Sequence, residues 1–167
     1  EISVICLDIS KFFDRIDRNL LMELLRRVIK DKRFLDLIER SLYRGYRERG
    51  DTHTRDTGMG IAQGSITGPI LANIYRHYML DSWFEQEVKT YYQYSMGDLI
   101  AYADDVVVLL PKSETASEFL ELLKKRLSDY KLEVSDKKTK VVDLKSSLPS
   151  NTSFRFLGFE VSKINKS

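Results

Sequence analysis

An α+β fold, an antiparallel sheet packed against helices, is predicted by three observations. Short β-branched runs occupy residues 2–9, 99–110 and 141–144, with another apolar run at 154–161. Between them lie segments whose leucines and aromatics recur at three- and four-residue spacing, the pattern of helices with one buried face. The resulting order (strand, helices, strand pair, helix, strand) is that of a split βαβ, ferredoxin-like core with a C-terminal β-hairpin added.

Residues 2–9 read as a mostly buried strand that closes on one acid, Asp8, at the end where sites gather in α/β arrangements. Residues 10–17 form a turn with paired aromatics, and Asp14 is left to the surface or a cap. Asp17 reads as the N-cap of a helix over 19–30 that buries Leu20, Leu21, Leu24, Leu25 and Val28. A second helix over 33–43 presents Phe34, Leu37, Ile38 and Leu42. Arg40, Arg44, Arg47, Arg49 and Arg55 then gather near Tyr43 and Tyr46, a mixture that suits a nucleic-acid backbone or simply a solvated helix end.

The glycine-rich stretch 58–65 is a loop that lets backbone approach a ligand closely. Pro69 suits the first turn of a helix reaching about residue 88, which buries Ile70, Leu71, Ile74, Met79, Leu80 and Trp83. A tyrosine-rich connection over 91–97 leads to the hairpin at 99–110. Ser113 reads as the cap of a helix over 114–130, followed by a short strand at 132–134, a polar stretch at 135–140 and a strand at 141–144. After a turn-rich loop, residues 154–161 form a strand or hairpin.

Composition narrows the function. Of 167 residues, 43% are hydrophobic and 31% charged, which is a globular balance. With 27 basic and 25 acidic side chains the net charge is +2, too even to announce a polyanion binder by electrostatics alone. Cys6 is the single cysteine, with only His53 and His77 beside it, so a disulfide framework and a structural zinc are excluded. No apolar run approaches the ~20 residues of a membrane span, so no membrane is expected and the setting expected is reducing and cytoplasmic. The first residue is Glu1 rather than methionine, which points to a piece of a larger protein.

Asp104 and Asp105 stand side by side at the tip of the apolar hairpin. An Asp-Asp pair in a turn is by itself most often a solvated turn, and stability alone would favour Asn-Gly there. The split βαβ order, however, sets the first strand beside the hairpin, so Asp8 approaches both. Three carboxylates without histidine or cysteine make a hard, all-oxygen site that suits Mg²⁺, with Mn²⁺ as a substitute. Two such ions support phosphoryl transfer.

Four blocks in order, Asp8-Ile9-Ser10-Lys11-Phe12-Phe13, Ala62-Gln63-Gly64-Ser65, Tyr102-Ala103-Asp104-Asp105 and Phe156-Leu157-Gly158-Phe159, resemble the successive palm motifs of reverse transcriptases. Leu71-Ala72-Asn73-Ile74-Tyr75 and Lys138-Thr139 fit the same pattern, nearest to the bacterial group II intron-encoded branch. The resemblance covers nearly the whole chain. It implies a polymerase palm over 1–167 with a partial fingers contribution at about 18–60, the rest of the fingers, the thumb and any maturase or endonuclease domain lying elsewhere.

By that resemblance, Asp8 and Asp104 bridge two magnesium ions, Asp105 helps hold the ion at the primer 3′-hydroxyl, and the Ile9 carbonyl completes the nucleotide-side ion. Lys11 and Phe12 offer backbone amides to the triphosphate, and Phe13 blocks a ribose 2′-hydroxyl. Gln63 and Gly64 line the pocket of nucleotide and template. Lys138 orients near the triphosphate or protonates pyrophosphate, with Lys137 and Lys140 as alternatives. Leu157 and Gly158 belong to the primer grip. The partners implied are an RNA template, a DNA or RNA primer, dNTPs and an intron RNA. Ala62 replaces the proline usual before Gln-Gly, and residues 65–68 also depart from the commoner sequence. A CRISPR-associated or other defence reverse transcriptase is an alternative parent. A nucleotide cyclase shares such paired acids, but it has no use for the Gln63-Gly64 or 156–159 blocks. A non-catalytic RNA-binding scaffold would leave clustered acids without a purpose.

Overall fold

A computed structural model describes residues 2–43, 58–62, 64–92, 97–111, 115–144 and 153–162. Its centre is a four-stranded antiparallel sheet in the order β2-β3-β1-β4, formed by β1 (Ile2–Asp8), β2 (Leu99–Tyr102), β3 (Asp105–Leu110) and β4 (Lys140–Leu144). The α+β class and the split βαβ order are therefore as the sequence predicts. Residues 154–161 resolve as a hairpin, β5 (Ser153–Phe156) and β6 (Phe159–Ser162), which forms its own two-stranded sheet.

Alternation along the strands divides the sheet. Ile5, Leu7 and Ile9 with Val106, Val108 and Leu110 join the core against the helices. Val4, Cys6, Asp8, Asp105 and Val107 fall on the opposite face, and the β5–β6 hairpin approaches that face through Arg155 and Phe156. The helices are α1 (Phe12–Arg15), α2 (Arg18–Val28), α3 (Lys32–Tyr43), α4 (Gly68–Arg76), α5 (Lys89–Tyr91) and α6 (Ala116–Asp129).

Asp17 caps α2 as predicted, accepting from the Leu20 amide at 3.0 Å. Its other oxygen takes the Lys131 ammonium. Lys131 follows α6 with a left-handed φ of 57°, its amide bonding the Ser128 carbonyl while the Leu132 amide bonds that of Leu127. This is a Schellman ending, with lysine where glycine is usual. One ion pair thus ties the end of α6 to the start of α2.

Several details differ from the sequence reading. The stretch 10–17 contains the short helix α1 as well as a turn. Val28 is 67% exposed, and in α3 Phe34 and Leu37 are half or more exposed while Leu35 is buried. The apolar residues of α3 form a stripe wide enough for two phases, and Leu35, Ile38 and Leu42 are those that meet the core. Ile70 is also exposed. The predicted strand at 132–134 reduces to a single bridge between Ile9 and Val134. The expected α-helix from Pro69 is a longer rod that includes two π-helical segments, His77–Asp81 and Phe84–Val88. Its buried residues explain why: Leu71, Tyr75, Met79 and Trp83, then Leu80, Phe84 and Val88, repeat every fourth position. An α-helix would rotate such a row by about 40° at each repeat, and wider π turns bring it back toward the core. Ser113, Arg44, Tyr46, Arg47, Arg49 and Arg55 lie outside the described residues.

Candidate active site

Strand pairing builds the site. β1 and β3 pair so that Asp8 stands opposite Asp105, and the next rung is the Ile9 amide donating to the Asp104 carbonyl at 3.1 Å. Tyr102 pairs with Asp105, leaving Ala103 and Asp104 as the turn. Ala103 has φ 52°, a left-handed conformation that costs a non-glycine residue about 1–2 kcal/mol. Strain of this kind persists where surrounding structure over-determines it, and here the β2–β3 ladder closes the turn on Tyr102 and Asp105.

A cavity of about 220 Å³ opens over the Asp8–Asp105 rung, lined by Cys6, Asp8, Asp105, Val107, Lys138, Arg155 and Phe156, with Asp104 outside its lining. Partial burial raises the Asp105 carboxyl above its usual range, and the charges of Asp104 and Asp8 raise it further, against the pull of Lys138. Burial likewise pushes the Cys6 thiol up, offset by Lys140. The side chain of Asp8 is 16% exposed and accepts from the Lys138 ammonium at 2.9 Å. That bond to Asp8 raises the pKa of Lys138. Among the described residues no three acidic, histidine or cysteine side chains converge as a ready-formed metal cluster. The three acids nonetheless fit a hard divalent cation in kind: their donors are all carboxylate oxygens on neighbouring backbone, and their mutual repulsion is what such a charge relieves.

Lys138 reaches Asp8 because of an irregular stretch of pairing. Ile9 bridges Val134 and Cys6 pairs with Lys140, so residues 135–139 loop out between two rungs. The loop is tied at its base by the Ser135 amide to the Asp8 carbonyl, 2.9 Å, and closed by the Lys138 and Thr139 amides on the Ser135 carbonyl.

Lys11 precedes α1 in a left-handed conformation, φ 49° and ψ 46°, with its side chain exposed. Phe12 is buried, and the half-buried Phe13 meets it edge-on with ring centroids 5.6 Å apart. This turn is clamped from the glycine loop: the Gly60 amide bonds the Ile16 carbonyl, the Ile61 amide bonds the Phe13 carbonyl, both at 2.8 Å, and Arg18 Nε donates to the Gly60 carbonyl at 2.7 Å. Gly64 is exposed with φ 87° and open space around it, whereas Gln63 lies outside the described residues.

Leu157 and Gly158, φ 51° and 80°, form the tip of the β5–β6 hairpin. Positive φ at both turn positions matches the twist of the flanking strands, and leucine is an unusual residue to accept it. Arg155 was not singled out by the sequence reading. Its place in the carboxylate cavity follows from how the hairpin folds across the sheet, for which the sequence carries no local signal.

The family described as reverse transcriptase (RNA-dependent DNA polymerase) matches residues 1–161. A putative COX1/OXI3 intron 2 protein of Saccharomyces cerevisiae is 40% identical over 86 residues, covering 50% of this chain and 10% of that protein. The group II intron-encoded protein LtrA of Lactococcus lactis subsp. cremoris is 43% identical over 70 residues, 42% of this chain and 11% of that protein. Apo telomerase from Candida tropicalis superimposes with a TM-score of 0.77 at 12% identity, over 96% of this chain and 31% of that one. Telomerase from Candida albicans, in complex with a TWJ fragment of telomeric RNA, gives 0.70 at 17%, over 97% and 29%. The likeness to the telomerases is one of fold.

Proposed function

The chain belongs to the reverse transcriptase (RNA-dependent DNA polymerase) family, and from that membership we propose that it is a catalytic palm that extends a primer with dNTPs along an RNA template. The parent protein in this reading is a group II intron-encoded enzyme or a related retroelement protein. The observation that carries the proposal is the rung at which Asp8 faces Asp105 while Asp104 bonds Ile9 through its backbone. That rung sets Asp8 and Asp105 together at one end of the sheet, with Asp104 in the adjoining turn, beside a cavity that the first two line.

Asp8, Asp104 and Asp105, with the Ile9 carbonyl, hold two magnesium ions in this reading, and Mn²⁺ can replace them. The ions, when bound, make the primer 3′-hydroxyl a better nucleophile and neutralise charge developing on the transferred phosphate. The chain's own residues supply the positioning. The left-handed turn at Lys11 leaves backbone amides at the start of α1 for the triphosphate, and the edge-packed ring of Phe13 stands against a ribose 2′-hydroxyl. Gln63 and Gly64 line the nucleotide and template pocket. Leu157 and Gly158 grip the terminal backbone of a DNA or RNA primer, and Lys138 orients the triphosphate or gives a proton to pyrophosphate. Residues at about 18–60 belong to the fingers side of the palm.

Primer extension on an RNA template tests the proposal, with the intact protein, dNTPs and Mg²⁺ beside an Asp104→Ala, Asp105→Ala double variant. Extension by the parent alone supports it. Equal extension by both would remove the acids from the chemistry. Extension by neither, with RNA binding intact, would favour a scaffold. In the same assay Phe13→Ala is expected to admit ribonucleotides that the parent rejects.

A further inference from the structure

We propose that Lys138 is the resident counter-ion of the carboxylate site: its ammonium holds Asp8 while no divalent cation is bound, and a cation must displace it to bind. This rests on the metal-dependent reading above.

The pair is built in. The loop that carries Lys138 is tied to Asp8 itself, through the Ser135 amide on the Asp8 carbonyl at 2.9 Å. The Lys138 and Thr139 amides and the Thr139 hydroxyl all bond the Ser135 carbonyl, which fixes the loop's shape. Those backbone bonds, which do not depend on charge, bring the Lys138 backbone beside Asp8, and the side chain completes the pair.

The two partners differ in freedom. Asp8 is 16% exposed and sits on the central strand, so its carboxylate has little room to move. Lys138 is 66% exposed, and its flexible stem can carry the ammonium into water at little cost. Lys138 also lines a second cavity, of about 530 Å³, with Lys137, Lys140, Arg155 and Glu160.

Charge explains why a counter-ion is useful. Among the described residues, neither Asp104 nor Asp105 is in an ion pair, so Lys138 supplies the one cation paired with the three acids. It offsets part of their repulsion in the metal-free protein, and a divalent cation seeking the Asp8 oxygen competes with it directly. Metal entry is then an exchange of cations rather than the filling of a bare site.

The experiment measures Mn²⁺ binding by the intact protein, by calorimetry or by loss of the free-ion paramagnetic resonance signal. The variants are Lys138→Met, Lys138→Arg and Asp8→Asn, and melting temperatures are recorded with and without metal. Removing the competing charge from Lys138→Met is expected to tighten Mn²⁺ binding by about fivefold and to lower the metal-free melting temperature, a deficit that Mn²⁺ reverses. Lys138→Arg, which keeps the charge, should stay within about twofold of the parent, and Asp8→Asn should lose the tight binding. Unchanged or weaker binding by Lys138→Met, with binding intact in the parent, would overturn the counter-ion role and leave the metal site standing. Absence of binding in the parent itself would overturn both.

Discussion

The clamp between the glycine loop and the aromatic turn can be probed at one atom. Gly60 has φ 74°, and a Cβ placed on it would lie 2.5 Å from the Asp14 carbonyl oxygen and 2.8 Å from the Asp14 Cα. Both obstacles are backbone, so Gly60→Ala must shift one segment against the other. Alanine in a left-handed conformation costs about 1–2 kcal/mol. The shift also strains the Gly60 to Ile16 bond, the Ile61 to Phe13 bond and the buried Arg18 to Gly60 bond. Losing one of these with its partner left buried costs a further ~1–3 kcal/mol, which puts the variant about 2–5 kcal/mol below the parent. Gly58 is the control: φ is 70°, but a Cβ there meets nothing within 4 Å. Gly58→Ala should therefore cost only about 1–2 kcal/mol. Equilibrium urea unfolding of the two variants and the parent reads the difference, as midpoint shifts at constant slope. Equal losses from the two substitutions would refute the clamp. A large loss from Gly60→Ala alone should be accompanied by weaker rejection of ribonucleotides, because Phe13 is held through the same bonds.

Other perturbations separate structural from chemical roles. Desolvation opposes the charged form of Asp17, but its bonds from Lys131 and the Leu20 amide win and its carboxyl is held below the usual range. A depressed carboxylate stabilises above its unfolded pKa, and that contribution disappears as pH falls through the folded value. Asp17→Ala should thus cost about 1–2 kcal/mol at pH 7, a loss that shrinks in acid titrations below about pH 4. Asp105 has the opposite sign: its raised carboxyl makes the charged form unfavourable in the fold, and stability declines as pH rises through that value. Asp105→Asn should raise metal-free stability at neutral pH by about 0.5 kcal/mol, a small gain because the residue is exposed, and should abolish stabilisation by added Mg²⁺ in thermal melts. Ala103→Val places a β-branched residue at φ 52° and should destabilise by about 1–3 kcal/mol in urea.

Much of this was legible in the sequence because it depends on local pattern. The β-branched runs and their order determine the four-stranded sheet, and once β1 and β3 are antiparallel the position of Asp8 near Asp105 follows. The N-cap at Asp17 is local chemistry and was readable for the same reason. What escaped was the choice among apolar faces: α3 carries two overlapping stripes, and only packing selects Leu35 over Phe34 and Leu37. The four-residue repeat from Leu71 to Val88 was visible, but its departure from an α-helical period has to be noticed before π turns can be expected. Lys138 was identified as a residue of the site, yet its bond to Asp8 depends on a loop inserted between two rungs of a ladder. Hydrophobic periodicity cannot register such an insertion, nor the hairpin crossing that brings Arg155 to the same cavity.

Asp104→Asn in a single-turnover assay separates chemistry from fold, because the substitution removes a charge and almost no volume from a half-buried turn. Protein, RNA template and primer are bound beforehand, and one dNTP addition is followed after mixing with Mg²⁺. The expected result is a fall in the chemical rate of about a thousandfold or more, with duplex affinity and melting temperature close to those of the parent. A rate within about tenfold of the parent would contradict it, and the hairpin acids would then owe their place to the fold rather than to the reaction.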